Sequence, residues 1–228
     1  MLGLRLNDAS LEGNLRVLAI GAHADDIEIG CGGTLLRLSD MNPQAEIVWV
    51  VLSGDERRGG EARASAADFA RGFASSEVIL GGFHDGFLPY EGGDVKTFFE
   101  DLKGGVSPDV IFTHQRADLH QDHRLACELT WNTWRDHLIL EYEIPKYDGD
   151  LGAPNLFVHL DASVATRKID LLLTHFGSQL DRRWFTEDLF RSMLRVRGME
   201  SNAPTGQAEA FYCRKLVLAD GHEAGGAA

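Results

Sequence analysis

The sequence predicts an α/β fold: a Rossmann-like, mostly parallel sheet with helices on both faces, built as a single domain. Three observations carry this expectation. Short apolar runs alternate with helix-period segments over roughly the first 140 residues. Those runs are apolar almost throughout instead of alternating with polar residues, as strands buried on both faces require. No Pro- or Ser-rich linker divides the 228 residues, a length that one core can serve.

Taken in order, Arg16–Ile20 (RVLAI) is a short buried strand, and Gly30–Asp40 has helical spacing through Leu35, Leu36 and Leu38. Glu46–Leu52 (EIVWVVL) is β-branched and apolar, the strongest strand in the chain. Glu61–Phe73 is Ala- and Arg-rich with Phe69 and Phe73 one turn apart, hence a helix. Glu77–Leu80 is a strand, Asp94–Lys103 a helix stopped by Gly104 and Gly105, and Asp109–Thr113 (DVIFT) a strand. Leu119–His137 is helical and Leu138–Tyr142 a strand. The last third adds a strand at Asn155–Leu160, helices at Ala162–Phe176 and Asp188–Arg197, and a closing strand at Ala208–Leu218. Residues 1–220 therefore read as one domain, with a Rossmann-like part over 16–143 and an extension over 144–220 that closes the pocket. Residues 221–228 (GHEAGGAA) read as a flexible tail.

Composition narrows the function. Twenty-two basic against 35 acidic residues give a net charge of −13, which argues against nucleic acid and against an anionic membrane surface. The N-terminal stretch has no continuous apolar core of a leader, and no apolar run approaches the length of a membrane span. Cys31, Cys127 and Cys213 are odd in number and widely spaced, so neither a disulfide framework nor a zinc ribbon is expected. A cytoplasmic location is the expectation. Glycine is in excess at 25 residues, and Gly30, Gly32 and Gly33 are expected in a turn after the first strand.

Ligands of such sheets bind beyond the carboxyl ends of the strands where strand order reverses, between the first and fourth strands in the usual order. After the first strand comes Gly21-Ala22-His23-Ala24-Asp25-Asp26. After the fourth comes His114-Gln115-Arg116-Ala117-Asp118-Leu119-His120-Gln121-Asp122-His123. Two His/Asp clusters thus converge on one place. His23-x-x-Asp26 and His120-x-x-His123 have ligand spacing, and two His plus one carboxylate with an open position is the catalytic zinc arrangement. Asp25, beside Asp26, is placed to act as a general base, and Asp122 to fix an imidazole tautomer. Each cluster alone also fits a solvated loop or a surface helix start; their convergence favours the metal. The GxGxxG fingerprint is absent, and an acidic loop repels pyrophosphate, so a dinucleotide site is not expected.

At these residues the chain resembles the LmbE-like, or PIG-L, family of zinc-dependent N-deacetylases. The resemblance rests on Ala22-His23-Ala24-Asp25-Asp26 with Gly30-Cys31-Gly32-Gly33, and on Thr113-His114 followed by Asp118-Leu119-His120-Gln121-Asp122-His123-Arg124. Weaker agreement follows at Ser53-Gly54-Asp55-Glu56, Arg63, His84-Asp85-Gly86-Phe87-Leu88, Lys168, His175, Ser178-Gln179 and Ala208-Glu209-Ala210-Phe211. Ala24 stands where the family usually has proline, which loosens the loop but removes no ligand. The resemblance implies His23, Asp26 and His123 as ligands of Zn2+, with Fe2+ as another divalent ion for the same donors. It implies Asp25 as general base, His120 as stabiliser of the tetrahedral oxyanion and Asp122 as the residue that orients a neighbouring imidazole. Arg63 and Asp85 match positions that meet substrate.

The implied activity is removal of the acetyl group from an N-acetylglucosamine-type sugar or conjugate, a small-molecule partner, in a chain that could form a homo-oligomer. The alternative is a non-catalytic metal-binding or Rossmann-like small-molecule-binding protein, which would have no need of Asp25. A two-metal phosphoesterase would want more ligands than the clusters offer. Cys31 reads as a small buried side chain and His175 as a structural or partly exposed histidine. The polar, aromatic segment Glu141–Asp150 leaves the catalytic edge, and Tyr147 and Asp148 on it are expected to line the acceptor side of the pocket.

Overall fold

The computed structural model describes residues 14–217. Its seven strands are β1 (Arg16–Gly21), β2 (Glu46–Ser53), β3 (Ser75–Phe83), β4 (Val110–His114), β5 (Leu138–Tyr142), β6 (Leu156–His159) and β7 (Ala208–Cys213). They form one sheet in the order β3-β2-β1-β4-β5-β7-β6. The first five are mutually parallel, and β7 runs antiparallel to both β5 and β6. The last third of the chain therefore widens the same sheet. This is the expected architecture, a mixed α/β domain with a mostly parallel sheet between helices.

The helices are α1 (Asp26–Met41), α2 (Glu56–Phe69), α3 (Gly92–Gly105), α4 (Gln121–Thr133), α5 (Ala162–His175) and α6 (Glu187–Glu200). Alternation along each strand feeds two cores. Val17 and Ala19 of β1 join Trp49, Phe112 and Phe211 under α1, α2, α5 and α6. Leu18 and Ile20 join Val50, Ile111 and Ile139 under α3 and α4. The central strands β1, β2 and β4 are thus largely apolar on both sides because both sides are covered.

Several boundaries differ from the sequence expectation, each for a local reason. Helix α1 starts at Asp26, not Gly30, because the Asp26 carboxylate accepts the His23 amide at 2.7 Å and the Asp25 carbonyl takes the Ile29 amide at 2.9 Å. The glycines are consequently inside the helix and not in a turn. A Cβ on Gly30 would run into the Tyr142 ring, and one on Gly33 would stand 2.5 Å from Leu160. Close packing of α1 on its neighbours, not turn chemistry, requires them. Helix α2 begins at Glu56 instead of Glu61, since Asp55 caps it by accepting the Arg58 amide at 2.8 Å, and it ends at Phe69. Helix α4 is shorter than expected at both ends, with His120 at its N-cap and Trp134 closing it. Strand β3 is longer than its apolar run because its outer residues pair along the edge with β2. Leu218, the expected 221–228 tail and the N-terminal stretch through residue 13 lie outside the described residues.

Candidate metal centre and active site

Strand order reverses between β1 and β4, which pair in register from Val17–Val110 to Ala19–Phe112. The loop after β1 and the loop after β4 therefore share one crevice, as the switch-point argument expects. His23, Asp26, His120, Asp122 and His123 all converge there, and Asp85 reaches it from the loop after β3.

Three atoms stand out. His23 Nδ1 lies 3.2 Å from His123 Nε2 and 3.3 Å from Asp26 Oδ2, and those last two are 3.6 Å apart. Donors 2.0–2.2 Å from a tetrahedral zinc stand roughly 3.3–3.6 Å from one another. The trio thus has the spacing of one face of such a centre. Overlapping sets with atoms within 4.8 Å are His23/His120/His123, Asp26/His114/His123 and His23/Asp85/Asp122. All pass through His23 or His123, so the crevice is dense in donors around these two rings. The donor chemistry, imidazole with carboxylate and no thiolate, suits a borderline divalent ion.

The remaining groups hold the trio. Asp122, fully buried, places Oδ2 3.1 Å from His23 Nε2 and accepts the Gly86 amide at 2.7 Å. It therefore orients His23, the imidazole across the crevice, and not its sequence neighbour. Asp118 serves His123 instead: its Oδ2 is 3.0 Å from His123 Nδ1, which leaves Nε2 facing the crevice. His120 accepts the Asp122 amide on Nδ1 at 3.2 Å, so its Nε2 carries the hydrogen and is a donor. His114 is fully buried behind the trio, stacked on His123 at 3.9 Å, with Nε2 3.2 Å from Asp26 Oδ2. Asp85, largely exposed, approaches His23 Nε2 to 3.2 Å.

Asp25 occupies the N-cap of α1 at φ +100°, a left-handed conformation that costs a non-glycine residue on the order of 1–3 kcal/mol. Its carboxylate is buried and is met by the Arg58 guanidinium at 3.1 Å, while Arg58 also donates to the Ala24 carbonyl. Arg58 lies 3.5 Å from Ser178 Oγ, through which the C-terminal third reaches the site. Arg63 is exposed on α2 and takes no part in these contacts. Cys31 is a buried free thiol bonded to the Ile27 carbonyl, and His175 ties α5 to Asp68 of α2 at 2.8 Å.

Burial and neighbouring charge separate the protonation states of adjacent groups. Burial drives the Asp25 carboxyl well above the usual carboxylate range, and Arg58 offsets part of that rise. Asp26, equally buried, is held well below the range because His123 and His114 outweigh burial. Burial, followed by repulsion from His114, lowers His123 to about 4. Burial also lowers His120, with His23 adding to it. His23 goes the other way: burial opposes its protonation, but hydrogen bonds to Asp122 and Asp26 raise it well above the imidazole value. The two adjacent carboxyls are thus pushed in opposite directions, which separates their roles in one site.

A parallel α/β sheet with a His/Asp donor cluster and a separate buried carboxylate at its switch point defines a Rossmann-like protein with a candidate hydrolytic metal centre. The chain belongs to the PIG-L family: the family model described as GlcNAc-PI de-N-acetylase matches residues 18–134. An Escherichia coli K12 relative, the uncharacterized deacetylase YaiS, is 31% identical over 137 residues, spanning 57% of this chain and 74% of the relative. Among solved structures, N,N'-diacetylchitobiose deacetylase from Pyrococcus horikoshii is similar with a TM-score of 0.65 at 21% identity, covering 87% of this chain and 83% of the other. GalB, the 4-carboxy-2-hydroxymuconate hydratase from Pseudomonas putida KT2440, is similar at 0.70 with 16% identity, covering 90% and 98%. These likenesses establish the fold, which carries a hydratase as well as deacetylases.

Sequence reasoning did not assign roles to Arg58, His114 or Asp118. Asp118 and His114 stood inside the quoted motifs, and an acidic residue five positions before His123 was the available signal. For Arg58, whose partner is 33 residues away, the chain offered none.

Proposed function

We propose that this protein is a zinc-dependent hydrolase that removes the N-acetyl group from an N-acetylglucosamine-type sugar or sugar conjugate. The observation that carries the proposal is the His23/Asp26/His123 trio, with atoms 3.2–3.6 Å apart and the buried Asp25 beside it. Membership of a de-N-acetylase family favours amide hydrolysis over the hydration that the same fold also supports. His23, Asp26 and His123 would hold the ion. A bound zinc supplies Lewis acidity, making a water a stronger acid and the amide carbonyl a better electrophile.

Asp25 takes the proton of the attacking water. Arg58 favours the ionised form of this carboxylate, the form that accepts, and burial favours the protonated form that then passes its proton to the leaving amine. His120 donates from Nε2 to the oxyanion of the tetrahedral adduct, because its Nδ1 is occupied by the Asp122 amide. Asp122 fixes the His23 ring. Asp85, at the rim, and Arg63, further along α2, are the proposed substrate contacts, with Asp85 placed nearer the reacting groups. Acetate and a free amino sugar leave.

Acetate release from a panel of N-acetylglucosamine compounds, including N,N'-diacetylchitobiose, by zinc-supplied protein tests the reading. Release from at least one compound is expected, and Asp25→Asn should lower it by about 10²–10⁴ without unfolding the chain. No release from any compound, or undiminished release by Asp25→Asn, would overturn it.

A further inference from the structure

The loop leaving β5 reaches back to the metal centre through one side chain. Lys146 is largely buried, with Nζ 2.9 Å from Asp118 Oδ2, 2.5 Å from Asp150 Oδ2 and 3.4 Å from the Ile144 carbonyl. Asp118 is fully buried, and the same Oδ2 faces His123 Nδ1 at 3.0 Å, while its Oδ1 accepts the His120 amide at 2.8 Å. Asp150 accepts the Leu119 amide at 2.7 Å, tying the far end of the loop to the residue before His120. The loop and the ligand-bearing turn are therefore clasped at two points four residues apart on the loop.

An ionised carboxylate is an acceptor only, so Asp118 obliges His123 to carry its hydrogen on Nδ1 and to present Nε2 as a bare lone pair. A fully buried carboxylate needs charge compensation. Among the described residues Lys146 is the Lys or Arg side chain that meets the Asp118 carboxylate, since Arg124 donates to the main-chain carbonyls of Asp118 and Leu119 instead. Removing Lys146 would leave Asp118 uncompensated and free to turn away, and that change releases the His123 ring.

We propose that Lys146 is a positioning residue for the metal centre: through Asp118 it fixes the tautomer and aim of His123, so that the 144–150 loop and the metal site are one mechanical unit. The proposal rests on His123 being a ligand in the proposed function.

Two readouts test it, neither of which is turnover. Long-range 1H–15N spectra of the metal-free protein report the His123 tautomer, and competition with a chromophoric chelator reports zinc affinity. In Lys146→Met the single Nδ1–H signature should become a mixture, and zinc affinity should fall about 10–100-fold, the usual cost of losing an outer-shell partner. Lys146→Arg should restore both to near wild type. If Lys146→Met does not fold, Lys146→Gln, which keeps a polar stem without the charge, should show the same losses. A folded Met or Gln variant with the wild-type tautomer and zinc affinity within twofold would overturn the proposal. Wild-type protein that binds no zinc would overturn the proposed function and with it the link to a metal, whereas an unchanged tautomer in the metal-free variants overturns the role of Lys146 toward His123 by itself.

Discussion

Asp25 is held at φ +100° between a buried setting that favours its protonated form and a guanidinium that favours its ionised form. Arg58 is the adjustable half of that balance. Replacing it by methionine removes the charge that lowers the Asp25 carboxyl, so the proposed base ionises at higher pH. The acidic limb of the pH–activity profile should move upward in Arg58→Met, and an unmoved limb would show that Arg58 does not tune the base. Glu28 offers a second test nearby. It is 1% exposed, and burial, only partly offset by the neighbouring Ser65 hydroxyl, pushes it from 4.5 to about 7. The folded chain keeps this proton while the unfolded chain releases it, so stability of the metal-free protein falls as pH rises from 4.5 to about 7. The cost above that window is about 3 kcal/mol. Glu28→Gln lacks this titration, and its stability relative to wild type, measured by urea unfolding, should improve across the same window. A constant difference between pH 4.5 and 8 would contradict a raised Glu28.

At the scale of elements, α1 illustrates packing overriding propensity. Its glycines are poor helix formers, yet Tyr142 and Leu160 occupy the space that side chains would need. Gly30→Ala should therefore destabilise the chain by about 1–3 kcal/mol through overpacking. Gly60, in α2, has open space where a methyl would sit and should do the opposite, gaining about 0.5–1 kcal/mol as alanine. Paired urea curves check both signs. This is also where the chain was hardest to read. The glycine cluster looks like a turn because the reason for Gly30 and Gly33 lies in β5 and the residue after β6, more than a hundred positions away, and that for Gly32 in Phe69 of α2. The strands were legible because burial on both faces writes itself into β1, β2 and β4 after their first residues, which in β1 and β2 are the exposed Arg16 and Glu46. The convergence of His23, Asp26 and His123 was legible because each of the two clusters is local to one turn of chain. Arg58 and Lys146 were not, since each acquires its meaning only from a partner that the fold brings in.

For the whole molecule, seven strands in one sheet place both His/Asp loops at the reversal of strand order between β1 and β4, and the C-terminal third braces that crevice through Ser178, Lys168 and Glu209. Lys168 joins the Ile29 carbonyl at 2.7 Å and the Glu209 carboxylate, which in turn accepts the Gly33 and Thr34 amides at 2.8 and 2.6 Å. The helix that carries Asp26 is thereby pinned to β7 at the opposite end of the chain. No helix among the described residues is long and apolar enough to cross a membrane. Such a frame holds the donors before any ion arrives, and the ion in turn is expected to be required for chemistry. The most direct measurement is acetate release from an N-acetylglucosamine substrate before and after chelation, with metal content followed on the same samples. Release should fall to background in the metal-free protein and return with about one equivalent of zinc per chain, the count of a single catalytic site. Undiminished release from protein verified to be metal-free would contradict the assignment of the His23, Asp26 and His123 cluster as a catalytic metal centre.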